Sequence, residues 1–125
     1  MKRSLFFTLT ALLAVLFGAM MFFTPAKAAE GFGLVATPET GVLFRILGSI
    51  LLSMGYLNFM VRNHGDSPTL KVVLGTNVLL HTLGMFADWA AVAGGTLLFS
   101  KVVSGMVVHL FVGIGSLIYI KKMGR

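Results

Sequence analysis

The chain has 125 residues, of which 57% are hydrophobic and 11% charged, and its formal charge is +6. A soluble domain of this composition would leave a large apolar surface in water, which excludes an ordinary globular fold. Cysteine is absent, which excludes disulfides, thiolate nucleophiles, Cys-ligated zinc and iron–sulfur clusters.

Four long apolar segments follow one another, over residues 5–23, 42–61, 70–91 and 97–120. A hydrocarbon layer about 30 Å thick takes roughly 20 helical residues, so each segment can span it. The pattern predicts an all-α integral membrane protein, an up-and-down four-helix bundle in one transmembrane domain. The first segment also has features of a signal peptide. Lys2 and Arg3 precede the apolar stretch, and Ala26-Lys27-Ala28 has the small-x-small form of a cleavage site. Cleavage after Ala28 would leave three spans. The stretch from Leu5 to Phe23 exceeds an ordinary signal-peptide core, so the expectation is that residues 1–28 are retained.

The joint over residues 24–41 contains Pro25, Gly31, Gly33 and Pro38, and reads as an outer loop with one interfacial turn at Phe32 to Ala36. Thr40 or Thr37 can cap the second span, with Pro38 and Glu39 in its first turn. Asn63-His64-Gly65-Asp66-Ser67-Pro68 is a polar turn rich in helix breakers, and Gly94-Gly95 is a second one. Each predicts an antiparallel hairpin.

The charges assign the sides. With the N-terminus inside, Lys2, Arg3, Arg62, Lys71, Lys121, Lys122 and Arg125 all lie on the cytoplasmic side, opposed by Asp66 alone. On the other side Lys27, Arg45 and Lys101 are balanced by Glu30, Glu39 and Asp88. This asymmetry predicts a multi-pass protein of the bacterial inner (plasma) membrane with both termini cytoplasmic. The basic residues then fix orientation and touch anionic lipid, and no nucleic-acid partner is expected.

Helical spacing identifies the faces that meet protein. On the third span Asn77, His81, Gly84 and Asp88 fall on one stripe. The second carries Arg45, Gly48, Leu52, Gly55, Phe59 and Arg62, and the fourth Lys101, Gly105, His109, Gly113 and Ser116. Small residues at such positions let helix backbones approach closely.

Two groups of polar residues stand out. Arg45, Asp88 and Lys101 lie at a similar depth near the outer ends of their helices and predict a charge cluster in which Asp88 neutralises Arg45, Lys101 or both. The alternative is that each snorkels separately to the headgroups, with Trp89 in the aromatic belt. His81 and His109 fall at the middle of their helices, where the imidazoles can meet. Such a pair suits a hydrogen-bonded lock, a proton-relay step, or two axial ligands of a b-type haem. Haem is disfavoured because a single His pair exists and no Arg stands at that depth for propionates. A metal site is disfavoured for want of a third good ligand. Asn58 and Asn77 are placed to bond between the second and third spans as structural glue. No Walker loop, HExxH, GxSxG or paired hydrolase carboxylates occur, so no catalytic residue is assigned.

The run Arg45-Ile-Leu-Gly48-Ser-Ile-Leu-Leu52-Ser-Met-Gly55-Tyr-Leu-Asn58-Phe-Met-Val-Arg62 carries a resemblance, together with Phe23-Thr-Pro25, Gly31-Phe-Gly33, Asn77 and His81. These motifs resemble small four-span bacterial membrane proteins and are loosely similar to DoxX-like proteins. The resemblance covers most of the chain from Phe23 to Tyr119, through short and mainly apolar motifs. It implies four retained helices and no reaction. The functional expectation is a non-enzymatic accessory or structural factor of the inner membrane, partnered by lipid and by a larger membrane complex or further copies of itself. The alternative is a carrier of a proton, a quinone-like molecule or b-type haem along the buried polar stripe.

Overall fold

The computed structural model describes residues 1–123 and is all-α over them, with five helices and no strand. They are α1 (Arg3–Phe23), α2 (Pro25–Gly31), α3 (Pro38–Val61), α4 (Pro68–Ala93) and α5 (Phe99–Lys122). Four of them, α1, α3, α4 and α5, are long and apolar enough to cross a bilayer, so the chain is a multi-pass membrane protein. Arg125, counted above among the cytoplasmic charges, lies outside the described residues.

Local chemistry sets the helix ends. Thr37 caps α3 by accepting from the Thr40 backbone N–H, while the Thr40 hydroxyl accepts from Thr37 N–H, a reciprocal box with Pro38 at the first helical position. Ser67 caps α4 through Leu70 N–H, again with proline next. At the other end of α4, Gly95 takes φ +72°, Gly95 N–H donates to Val92 O, and Thr96 N–H donates to Ala91 O. This Schellman arrangement reverses the chain within a few residues and explains why the glycine pair stands there.

In the joint between α1 and α3 a turn occurs at Phe32 and Gly33, the start of the expected stretch, and a short helix not expected there, α2, precedes it. Pro25 can start it because a first-turn position needs no backbone donor, and Ala26, Ala28, Ala29 and Glu30 favour it. Gly33, at φ +80°, follows its end.

The described chain divides into two compact units. In the unit Phe7–Arg62, α1 and α3 approach at glycine. A Cβ on Gly18 would lie 2.9 Å from Gly48 O, and one on Gly48 would lie 2.7 Å from Gly18 O and from Phe22 N. Real Cβ contacts do not come so close, so backbone meets backbone here. Nearby, Met21, Ala28, Ala29 and Phe44 form a buried cluster with Phe32, Leu34 and Leu51 packed on it, which seats α2.

The other unit comprises Met1–Phe6 and the segment from Asn63 onward. Its centre is the α4–α5 hairpin. The N-terminal residues are tied to it at two places: Arg3 pairs with Asp66 and donates to His64 O at 2.7 Å, and the Tyr119 hydroxyl donates to Met1 O at 2.7 Å. Asp66, the single acidic residue assigned to that side, is therefore neutralised locally. Outward apolar residues such as Val72, Leu79, Leu83, Val107 and Ile114 are exposed, as lipid-facing residues must be.

Candidate functional site

The α4–α5 hairpin brings the polar stripes of its two helices together. His81 Nδ1 and His109 Nδ1 are 2.9 Å apart, with ring centroids at 5.1 Å and planes inclined by 56°. One Nδ1 must carry a proton and the other must not, since two donors or two acceptors would repel. Asp88 indicates which. Its Oδ2 is 3.6 Å from His109 Nε2, an electrostatic contact that favours N–H at that nitrogen. His109 is thereby assigned the Nε2–H tautomer with a free Nδ1 lone pair, and His81 Nδ1–H donates to it. The result is an ordered sequence from His81 through His109 to Asp88, the last about 10 Å along α4 toward its C-terminal end.

Three glycines make room for these groups. Gly84 faces the His109 ring, Gly105 lies opposite Asp88, and Gly113 lies opposite the Cβ of His81. Each helix thus presents a residue without a side chain where the other presents a polar one. Ser116 continues the α5 stripe and is fully buried.

The outer charge cluster is corrected in one respect. Within its own unit, Asp88 meets His109 and forms no ion pair with Lys101. Lys101 is exposed on α5, and Arg45 is exposed on α3. A lysine one turn from the outer end of its helix can reach headgroups on its own long stem, whereas an imidazole has no such reach. Trp89 stacks obliquely with Phe99 at 6.0 Å near that end, suited to the interface.

The asparagines are placed within their own units. Asn58 on α3 is buried, and its Nδ2 donates to Met54 O at 2.8 Å. Asn77 on α4 is buried one turn before His81. Among the described residues no group of three His, Cys, Asp or Glu is placed to hold a metal ion.

The two Nδ1 atoms are bonded to each other, and His109 Nε2 is turned to Asp88. Compared with known protein families, curated proteins and solved structures, the chain matches none.

The hairpin also carries features not anticipated from spacing. Phe6 is fully buried, its ring over Gly115 of α5 and beside Phe111 and Tyr119, with centroids at 5.7 and 5.1 Å. The only available signal was the small residue at 115, and glycines on α5 are too numerous to single it out.

Proposed function

We propose that this chain is a non-enzymatic factor of the bacterial inner membrane, with both termini cytoplasmic, that serves as an accessory subunit of a larger membrane complex. The bond between His81 and His109 carries this reading. The most polar groups at mid-helix are spent on each other, which closes the hairpin and leaves its outer apolar faces for lipid or for a partner. The DoxX-like resemblance belongs to the same proposal and rests on Arg45, Gly48 and Gly55 of α3. Purification from its native membrane in mild detergent tests the reading. A larger membrane protein should accompany the chain, and the eluate should show no Soret band. A chain recovered alone, or one carrying a coloured cofactor, overturns it. A periplasmic reporter fused after Arg125 should be inactive, since the basic ends are assigned to the cytoplasm.

Asp88 favours a second reading, a proton carrier. A proton taken up at His81 Nε2 lets His81 pass its Nδ1 proton to His109 Nδ1 while His109 releases its Nε2 proton to the Asp88 carboxylate, so that both imidazoles end neutral and Asp88 holds the proton. The purified protein in liposomes should then dissipate an imposed pH gradient, and His109→Ala should not. A gradient held equally by both refutes the carrier.

A further inference from the structure

A groove of about 540 Å³ runs along α5 on the side away from the histidines' chemistry, bounded by Phe6, Leu110, Phe111, Ile114, Ile118 and Lys122. We propose that it binds one anionic phospholipid, with an acyl chain along the groove and the phosphate at Lys122. This goes beyond the accessory reading and does not depend on it.

The polarity and length of the groove argue for that occupant. From Leu110 to Lys122 the helix rises about 18 Å, close to one leaflet of a hydrocarbon core about 30 Å thick. One end lies at Leu110, near mid-helix, and the other at the basic last turn of α5. Its polar lining, Lys122 with Tyr119 and the N-terminal Met1, is gathered at one end and the rest is apolar, so it repeats the order of a phospholipid, an apolar shaft with charge at the water end. A partner helix would need no such leaflet-long limit.

The cation is available. Arg3 is taken by Asp66 and the His64 carbonyl, whereas Lys122 is exposed, with Nζ 5.6 Å from the Tyr119 ring centre. The wall is preformed. Phe6 is held over Gly115 and against Tyr119, whose hydroxyl is fixed to Met1 O, so the floor does not have to order when a chain enters. Leu110, Ile114 and Ile118 are about half exposed along its edge.

Native mass spectrometry of the full chain in mild detergent tests the site, with phosphatidylglycerol, phosphatidylcholine or inorganic phosphate added. One phosphatidylglycerol should stay bound and phosphatidylcholine should be lost. Lys122→Gln should weaken retention roughly fivefold, the effect of one basic residue at a membrane surface. Lys122→Arg should restore it. Lys121→Gln, which lies off the groove, should retain the lipid, and Ile114→Trp, which fills the groove, should release it. Equal retention of both lipids, equal losses at Lys121 and Lys122, or displacement by inorganic phosphate would overturn the proposal. So would a dimer of the chain in place of the lipid adduct.

Discussion

Gly84 of α4 lies against the imidazole of His109 on α5, where a methyl group would stand 2.5 Å from Cε1 and 2.7 Å from Nε2. The histidine's position therefore depends on a residue with nothing to offer but space. Gly84→Ala should push the ring off His81 and destabilise the hairpin by about 1–3 kcal/mol, the usual range for overpacking. Gly75→Ala on the same helix meets nothing within 4 Å and should be neutral or slightly stabilising. Unfolding in a graded detergent mixture measures both, and equal effects would show that Gly84 does not seat the ring.

The His81–His109 bond predicts non-additivity. Either alanine substitution strands the other ring's Nδ1, and the double substitution strands neither. A double-mutant cycle should give a coupling of about 0.6–1.7 kcal/mol, the range for hydrogen bonds between membrane helices. Additive losses would mean that the rings do not interact.

Asp88 should couple to His109 and not to Lys101. Asp88→Asn should lose its effect in a His109→Ala background and keep it in a Lys101→Met background. Asp88→Lys should be the more damaging change, because it sets a cation against the donor end of the Nε2–H. A cycle in which Lys101 absorbs the Asp88 effect would restore the charge cluster.

The candidate cleavage point lies inside a helix. Ala28 and Ala29 belong to α2 and are buried at 1% and 0% exposure within the cluster that includes Met21 and Phe44. A peptidase needs the scissile bond extended and accessible, so mass spectrometry of the purified chain should find residues 1–28 attached. A mature chain that starts at Ala29 would show that processing precedes the packing of α2.

Spacing alone made the spans and the His81–His109 meeting legible, because stripes of period 3.6 and a glycine turn at 94–95 leave little freedom in antiparallel register. It did not settle the partner of Asp88, and the register shows why. Gly105 stands opposite Asp88, with Lys101 one turn to one side and His109 one turn to the other. Formal charge pointed to Arg45, Lys101 or both; side-chain reach favours the histidine over the lysine. The placement of α2 was also hidden, since a seven-residue helix has too short a period to read and is held by tertiary packing. The lipid groove depends on Phe6, far from α5 in the chain, and no local pattern links the two.

The tight turn at Gly94 and Gly95 bears on how the protein enters the membrane at all. A single helix carrying Asp88 and His81 would meet lipid with both groups bare; an aspartate costs about 2.5–3.5 kcal/mol to insert at a helix centre, and less nearer the end, where Asp88 lies. With only residues 94–98 between α4 and α5, the second helix follows the first out of the ribosome almost at once. The two can leave the translocon together, already zipped, with each ionisable group opposite its glycine. Lengthening this connection should delay that meeting and send newly made chains to quality-control proteases, even though the finished protein would make every one of the same contacts.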